Sequence, residues 1–423
     1  MSIYVLDAPM GIGKTSAMIN YMREAPEEER FVFVTPFLSE GERIIEGCVE
    51  KAFVSPESYG YNDFGTPVST DYKSKMDDFK DKIREGRNIA TTHALFQRFD
   101  QEARDLISVG NYTLVMDEVC DLIGDYDITP YDAGTLSEKY IDVEDNGRAI
   151  WRADETEYKG RFLRYKEDCE LGILWYYNRT SYIQMLPKES FEVFKDCFIM
   201  TYLFEAQLQR CYFDLQGLQY EVIYVDGDAP ENYRITTEPR TYSLPQIKEK
   251  VHIFDNKKMN HIGSGHYALS RGWYEDANNT ENVKQIQDNA YNFFRNKMKA
   301  KSTDCLWTCY KEIAVPEADG SKVTKKVVPR GYKKQYVACN ARATNVYRDK
   351  HCLAYLVNLF PDPTIHGFLT RHHVGFNRDE WALSMMVQWI WRSAIRDGEE
   401  IWVYVPSRRM RTLLEQWLDK VNG

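Results

Sequence analysis

A glycine-containing loop directly after the first apolar run constrains this chain more than any other feature. The apolar residues 3–6 are followed by Ala8-Pro9-Met10-Gly11-Ile12-Gly13-Lys14-Thr15 and then by a segment of helical character. Such a loop cradles phosphates, because its glycines let consecutive backbone N–H groups turn inward while its Lys and Thr reach phosphate oxygens and Mg²⁺. The pattern predicts an α/β domain in which this loop binds ATP and Thr15 also ligates the metal.

Three further apolar runs each end in polar residues. Residues 31–34 end at Thr35-Pro36, residues 88–93 include Thr92, and residues 112–116 end at Asp117-Glu118. Helical stretches separate these runs, which is the pattern of a parallel sheet with crossover helices. The carboxyl ends of parallel strands share one edge, where α/β folds bind ligands. We therefore expect these polar residues and the phosphate loop to form one site.

The acidic pair at the end of the fourth run suits hydrolysis of a nucleoside triphosphate. A carboxylate at a strand end can hold Mg²⁺, and a neighbouring carboxylate can polarise the water that attacks the γ-phosphate. We assign Asp117 to the metal and Glu118 to the catalytic water. An acidic pair is common at strand ends, so the assignment depends on the phosphate loop upstream in the chain.

These motifs together resemble those of a known family. The phosphate loop and Val115-Met116-Asp117-Glu118-Val119-Cys120-Asp121 resemble motifs I and II of superfamily 2 (DEAD-like) helicases, similar to bacteriophage helicases and to the helicase part of herpesvirus origin-binding proteins. Segments 35–40, 91–96, 200–203 and 340–345 follow in the order of motifs Ia, Ib, III and V. The resemblance implies that Thr35, Pro36, Thr92, Thr344 and Asn345 contact a nucleic-acid backbone.

Residues 388–396 resemble helicase motif VI. A helix from residue 379 to 396 would bring Gln388, Arg392 and Arg396 onto one face at i, i+4 and i+8. An arginine donated across a domain cleft stabilises charge that develops on the γ-phosphoryl group. The two arginines are four residues apart rather than the usual three, so both remain candidates for this role. A helix stripe that makes surface ion pairs is the alternative.

Two departures from the family limit what the resemblance implies. The acidic motif reads Asp-Glu-Val-Cys, which argues against the Asp-Glu-Ala-Asp and Asp-Glu-Ala-His subgroups. Because the first apolar run starts at residue 3, we expect no adenine-reading segment like the upstream glutamine motif of DEAD-box RNA helicases. The selectivity for the nucleotide base is expected to be low.

The family resemblance predicts two RecA-like parallel-sheet domains. The first would span residues 1–225, with an insertion at about 125–190, and the second residues 282–423, joined by a connector or accessory element at 226–281. The insertion contains Trp151, Trp175, Tyr176 and Tyr177 near basic residues. These aromatic side chains would stack on unpaired bases or act as a strand-separating wedge, or they would form a small core of their own.

Charge and cysteine usage bear on partners and compartment. Residues 282–423 contain 23 Lys and Arg against 14 Asp and Glu, a net charge of +9, whereas the whole chain carries −10. This asymmetry favours a nucleic-acid track in the C-terminal part, although a solvated basic face explains it equally well. The nine scattered cysteines indicate reduced thiols. With no apolar run long enough to cross a bilayer, we expect no membrane partner and a cytoplasmic location, in the host if the protein is phage-encoded.

The sequence thus predicts an ATP- and Mg²⁺-dependent DNA helicase or translocase, active on single-stranded or forked DNA in replication or recombination. We expect it to be a monomer that works with other replication proteins. The alternatives are a duplex translocase or packaging ATPase without unwinding, and a nucleoside-triphosphate-dependent kinase. A nonhydrolytic DNA-binding module is disfavoured by Glu118.

Overall fold

The protein consists of two compact units in a computed structural model that describes residues 1–60, 72–152, 158–242, 244, 246–314, 327–340 and 346–422. Unit 1 comprises residues 1–240 and 362–376, and unit 2 comprises residues 241–361 and 377–423. The chain therefore passes between the units three times. Among the described residues, no helix combines the length and the apolar character needed to cross a membrane.

Unit 1 is built around a seven-stranded sheet of order β12-β11-β1-β10-β4-β2-β3, in which β12 alone is antiparallel to its neighbour. Its strands are β1 (Ser2–Asp7), β2 (Phe31–Thr35), β3 (Ile89–Thr92), β4 (Thr113–Asp117), β10 (Asp196–Thr201), β11 (Glu221–Asp226) and β12 (Arg234–Thr236). Every residue of β2 is buried, as expected for a strand covered on both faces by helices. The parallel sheet predicted from the apolar runs is confirmed.

The helices of unit 1 include the crossovers of this sheet, the helices of the insertion and one contributed by a distant part of the chain. They are α1 (Lys14–Glu24), α2 (Leu38–Gly47), α3 (Lys75–Arg84), α4 (His93–Phe96), α5 (Gln101–Gly110), α6 (Pro130–Lys139), α7 (Leu163–Leu171), α8 (Glu189–Glu192), α9 (Leu208–Gln216) and α15 (Pro363–Arg371).

The segment between β4 and β10 contains the insertion predicted at about residues 125–190. Its strands are β5 (Ile123–Asp125), β6 (Ile141–Val143), β7 (Ala149–Trp151), β8 (Leu174–Asn178) and β9 (Ser181–Met185). Trp151 belongs to a separate small core and stacks on Tyr140 at 5.2 Å between ring centroids. Trp175 belongs to the main core of unit 1, and its indole N–H donates to the carbonyl of Met185. Trp151 is thus packed in a small core and Trp175 in the main core of unit 1, and a role of the insertion on nucleic acid stays a prediction.

Residues 362–376 come from the second half of the sequence but pack into unit 1. Ile365, Phe368 and Leu369 of α15 lie in the main core of that unit. The Phe368 and Tyr177 rings are 5.9 Å apart, and the Arg371 guanidinium lies 4.6 Å above the Tyr177 ring. This segment was predicted to belong to the second domain. The i, i+3, i+4 spacing of its apolar residues predicts an amphipathic helix, but it does not identify the surface on which the helix packs.

Unit 2 contains a four-stranded parallel sheet of order β13-β16-β15-β14. Its strands are β13 (Val251–Ile253), β14 (Cys305–Thr308), β15 (Cys352–Tyr355) and β16 (Ile401–Tyr404). Its helices are α10 (Ile247–Lys250), α11 (Lys257–Asn260), α12 (Arg271–Glu275), α13 (Thr280–Asn292), α14 (Lys311–Ala314), α16 (Arg378–Ile390) and α17 (Arg408–Asn422). The α/β class with two parallel sheets agrees with the prediction of two RecA-like domains.

The structure divides the chain at different places from those predicted. Residues 226–281 do not form a separate connector, because β12 extends the sheet of unit 1 and β13 is an edge strand of the sheet of unit 2. Each of these strands is only three residues long. Strands this short carry too few alternating residues to reveal themselves by hydrophobic periodicity.

Candidate active site

The predicted site residues of unit 1 lie along one edge of its sheet. Asp7 at the end of β1 is in register with Thr201 of β10, and Met200 of β10 is in register with Asp117 of β4. Thr35 and Thr92 pair at the ends of β2 and β3. The expectation that these strand ends meet is confirmed, and Asp117 lies two strands away from the phosphate loop.

The loop between β1 and α1 has the backbone that phosphate binding requires. Gly11 and Gly13 have φ angles of 86° and 91°, a left-handed region that residues with a Cβ rarely enter. Gly13 precedes the first residue of α1 and has no side chain to cap the helix. The N–H groups of the first helical turn, together with the helix dipole, form a site for an anion.

The Lys14 side chain lies across its own loop. Its ammonium group donates to the carbonyl oxygens of Ala8 at 2.5 Å and Pro9 at 3.1 Å. Burial raises the pKa of Asp117, and the positive charge of Lys14 partly opposes this effect. A phosphate group in the loop would be a stronger acceptor for this ammonium group than two carbonyls, because hydrogen bonds between ions are stronger than those with one neutral partner.

The carboxyl group of Asp117 has a raised pKa. Although part of the residue is accessible to solvent, burial of its carboxyl group, followed by the charges of Glu118 and Glu40, raises its pKa to about 7. A cation beside this group would favour the carboxylate form. The Asp117 carboxylate and the Thr15 hydroxyl supply oxygen atoms, which Mg²⁺ prefers. The donor set therefore fits the predicted metal.

Glu118 has a strained backbone conformation. Its φ angle is 64°, and its N–H donates to the carbonyl of Met200 at 2.9 Å. The chain thus leaves β4 in a left-handed turn that is tied to the neighbouring strand. Non-glycine residues in this region cluster at functional sites, where the surrounding structure enforces them. The strain lies at the residue that the sequence assigned to the catalytic water.

Asp7 is part of this edge, although the sequence analysis did not select it. Its two carboxylate oxygens accept hydrogen bonds from the N–H groups of Leu203 at 2.8 Å and Phe204 at 3.0 Å. Burial raises the pKa of Asp7 even though both hydrogen bonds favour its ionised form. The residue joins the strand that leads into the phosphate loop to the segment that follows β10. An aspartate at the end of the first strand was the available sequence signal.

Two threonine hydroxyls at the edge are buried without a hydrogen-bond partner among the described residues. They belong to Thr35 and Thr201. Buried hydroxyls normally have partners, so their position at a ligand-binding edge supports the presence of a polar ligand there. Thr35 has no exposed surface, and a direct contact between it and a nucleic-acid backbone would require this part of the chain to open.

The other residues predicted to contact nucleic acid differ in accessibility. Pro36 and Thr92 are half-buried, and the Thr92 hydroxyl caps α4 by accepting from the Leu95 N–H at 3.4 Å. The next two residues after Pro36, Phe37 and Leu38, are exposed apolar side chains. Thr344 and Asn345 lie outside the described residues, so their assignment stays a prediction.

The helix predicted for motif VI is shorter in the structure. It ends at Ile390, and the N–H groups of Arg392 and Ser393 bond to the carbonyls three residues before them. Gln388, Arg392 and Arg396 therefore do not form one helical stripe. Arg392 is 6% exposed whereas Arg396 is exposed. The two arginines have different surroundings, and their catalytic assignment stays a prediction.

Two further features lie outside this edge of the sheet: possible clusters of metal-ligating side chains, and the cysteine thiols. Within the described ranges, no group of three or more His, Cys, Asp or Glu residues is arranged to hold a metal ion. The nine cysteines are free thiols, and all except the half-buried Cys339 are buried. The prediction of reduced, mostly buried thiols agrees with this arrangement.

Comparison with known proteins identifies a relative along nearly the whole chain. The sequence is 35% identical over 425 residues to the SPbeta prophage-derived protein YonV of Bacillus subtilis (strain 168), and the match covers 99% of this chain and 98% of YonV. Residues 245–418 match the family model described as the YonV C-terminal Rossmann-like domain. All four strands of the unit 2 sheet lie within that span.

Two named proteins are among the solved structures to which this chain has a distant likeness. Xpd4 of S. tokodaii has a TM-score of 0.47 and 12% identity, over 98% of this chain and 94% of Xpd4. The DUF1998 helicase MrfA, in a crystal structure with DNA and AMPPNP, has a TM-score of 0.34 and 12% identity, over 99% of this chain and 48% of MrfA. These likenesses are distant, and the α/β class rests on the order and direction of the strands described above.

Proposed function

This chain belongs to the YonV family, and we propose that it is an ATPase that couples Mg²⁺-dependent ATP hydrolysis to movement along DNA or to its unwinding. The observation that carries the proposal is the common edge of the phosphate loop and the acidic pair. Lys14 acts electrostatically on Asp117, and Glu118 follows in an enforced conformation. Phosphate binding, metal ligation and water activation need these side chains at one place.

Each group would have a defined task in hydrolysis. The loop N–H groups and Lys14 would bind the phosphates, while Thr15 and Asp117 would hold Mg²⁺. The metal would supply positive charge that neutralises the phosphate oxygens. Glu118 would accept a proton from the attacking water, since a carboxylate within hydrogen-bond reach of the water is a suitable general base. In this scheme Gln388 and one of Arg392 and Arg396 would contact the γ-phosphate.

Movement on DNA is favoured over phosphoryl transfer to a small molecule by the composition of the rest of the chain. A kinase needs one sheet domain with a lid, and it leaves the second parallel sheet unexplained. The excess of basic residues in 282–423 supports a polyanionic partner. The motif-level resemblance to helicases of bacteriophages and herpesviruses stays a prediction, as do the action on forked DNA, the monomeric state and the replication partners.

The test measures ATP hydrolysis by the full chain without nucleic acid and with single-stranded DNA, duplex DNA, forked DNA or RNA. We expect DNA to stimulate ATP hydrolysis. We expect the Lys14→Ala variant to lose ATP hydrolysis, because its loop lacks the cation that reaches the β- and γ-phosphates. Stimulation by duplex DNA without strand separation would select the duplex translocase. Hydrolysis that no nucleic acid changes would reject the coupling to DNA.

A further inference from the structure

The ring of Tyr233 lies against the phosphate loop. A methyl group placed on Gly13 would be 2.4 Å from Cε2 of this ring and 2.8 Å from its Cζ. Atoms this close do not coexist, so the ring occupies the space that a side chain at position 13 would need. Tyr233 itself is half-buried, so part of the residue is accessible to solvent.

The segment that carries Tyr233 is fastened to α1. The side-chain amide of Asn20 donates to the carbonyls of Pro230 and Tyr233, each at 3.0 Å. Arg234 forms an ion pair with Glu24 at the other end of the same helix. The tyrosine is therefore held in place by the helix whose first turn follows the phosphate loop. A segment whose backbone is held in this way loses less conformational freedom when a ligand contacts it.

The side chain of Asn232 contributes to the tight turn that precedes Tyr233. The Asn232 side-chain oxygen accepts from the N–H groups of Asp228 at 3.1 Å and Ala229 at 2.9 Å. The turn begins directly after β11, which pairs with β1 on the side opposite to β10 and β4. Tyr233 and the acidic pair thus lie on opposite sides of the phosphate loop along the sheet edge.

This arrangement gives a direction to a bound nucleotide. With the phosphates in the loop, the γ-phosphate must approach Glu118, on the β4 side, for hydrolysis. The ribose and base are attached at the other end of the triphosphate, so they extend towards the β11 side. On that side of the loop, the aromatic ring next to Gly13 belongs to Tyr233.

We propose that Tyr233 is the base-stacking residue of the nucleotide site, which takes a nucleoside triphosphate with its base against the tyrosine ring. This inference rests on the proposed binding of ATP by the phosphate loop. Stacking on an aromatic face accepts every base, because all bases have a π-face. It therefore agrees with the low base selectivity that the sequence predicts.

The test measures equilibrium binding of ATP, GTP and inorganic tripolyphosphate to the full chain by calorimetry. Tyr233→Ala is expected to weaken ATP and GTP binding about tenfold, the loss typical of one base–aromatic stack, and to leave tripolyphosphate binding unchanged. Tyr233→Phe should bind all three like the wild type. Tyr233→Leu fills the space over Gly13 without an aromatic face, so it should show the same tenfold loss of ATP and GTP binding. It keeps the test valid if the alanine variant folds poorly.

Tyr131→Ala is the matched control, because Tyr131 is a tyrosine of unit 1 that is 77% exposed on α6; it should bind all three ligands normally. Equal weakening of tripolyphosphate and ATP in Tyr233→Leu would show that the ring only supports the loop. Unchanged ATP binding would likewise overturn the stacking role. A wild-type chain that binds neither ATP nor tripolyphosphate would instead reject the nucleotide-binding function, and stacking with it.

Discussion

Two non-glycine residues at the active-site edge have left-handed backbone conformations. Glu118 has a φ angle of 64° and Leu203 one of 57°. Each such residue costs about 1–2 kcal/mol relative to right-handed backbone. Glu118 is tied to Met200 through its N–H, and Leu203 is tied to Asp7. The strain is therefore maintained by hydrogen bonds between neighbouring strand ends rather than by the local sequence.

Two replacements of Glu118 distinguish the effect of backbone strain on stability from the effect of the carboxylate on ATP hydrolysis. Glu118→Gly and Glu118→Ala both lack the carboxylate, so both are expected to bind ATP and fail to hydrolyse it. Only glycine accepts a φ angle of 64° without strain, and we expect Glu118→Gly to be about 1 kcal/mol more stable than Glu118→Ala. Urea unfolding and ATP turnover test this. Equal stability would argue against strain, and turnover within tenfold of wild type would reject the role of Glu118.

The raised pKa of Asp117 predicts how stability depends on pH in metal-free buffer. The folded-state pKa is about 7 against an unfolded value of 3.8, so between these values the unfolded chain binds fewer protons. Wild-type stability should therefore fall as pH rises from about 4 to 7 through this group. Asp117→Asn resembles the protonated form, and its melting temperature relative to wild type should rise over this range. A difference that does not change with pH would contradict the burial of this carboxyl group.

Sequence patterns located the strand ends but not the contacts made there. Apolar runs that end in polar residues identified Thr35, Thr92 and Asp117, because parallel strands place their ends at one edge. The hydrogen bond from Leu203 to Asp7 joins residues 196 positions apart, and Tyr233 reaches Gly13 from a similar distance along the chain. No periodicity encodes pairs this distant, since they depend on the order of strands in the sheet.

At the level of elements, the end of α16 shows a limit of periodicity. The i, i+4 and i+8 spacing of Gln388, Arg392 and Arg396 predicted one helix through residue 396, whereas α16 ends at Ile390. The Ser393 hydroxyl donates to the Ile390 carbonyl at 2.6 Å, a local bond of the kind that competes with helical hydrogen bonding. Spacing identifies residues on one face only while the helix continues.

Helix α15 provides a test of the division into units. Phe368 is buried in the core of unit 1, so Phe368→Ala should cost about 3–5 kcal/mol. Hydrogen exchange should show that the backbone amides of β5 and β9 in unit 1 lose protection, while those of β14, β15 and β16 in unit 2 keep theirs. Thr370→Ala, on the exposed side of the same helix, is the control and should leave exchange in both units unchanged. Loss of protection confined to unit 2 would contradict the assignment.

At the level of the whole molecule, the residues predicted to catalyse hydrolysis belong to both units. Lys14 and Glu118 lie in unit 1, and Arg392 and Arg396 lie in unit 2. If one of the arginines stabilises the γ-phosphate, its alanine variant should keep ATP affinity and lose about 10³–10⁵ in turnover. The measurement compares Arg392→Ala, Arg396→Ala and the double variant with Arg271→Ala, an exposed arginine paired to Glu275. Near-normal DNA-stimulated turnover in the double variant would reject the motif VI assignment.

The predicted number of parallel sheets agrees with the structure, whereas the predicted limits of the units do not. The second sheet was predicted from the resemblance to helicases, whose motifs follow in order along the chain, and the parallel sheet of unit 2 agrees with it. The position of residues 362–376 could not be read from their neighbours in sequence, because β15 before them and α16 after them both belong to unit 2. The apolar face of α15 packs on a surface of unit 1 that the linear sequence does not reveal.

The three passages of the chain between the units affect how related genes can recombine. A chimera joined at residue 240 would combine one parent's unit 1 sheet with the other parent's copy of residues 362–376. The core around Ile365 and Phe368 would then contain side chains that had diverged separately, and volume mismatches in a core are destabilising. Exchange between family members should therefore be tolerated best when residues 362–376 come from the same parent as residues 1–240.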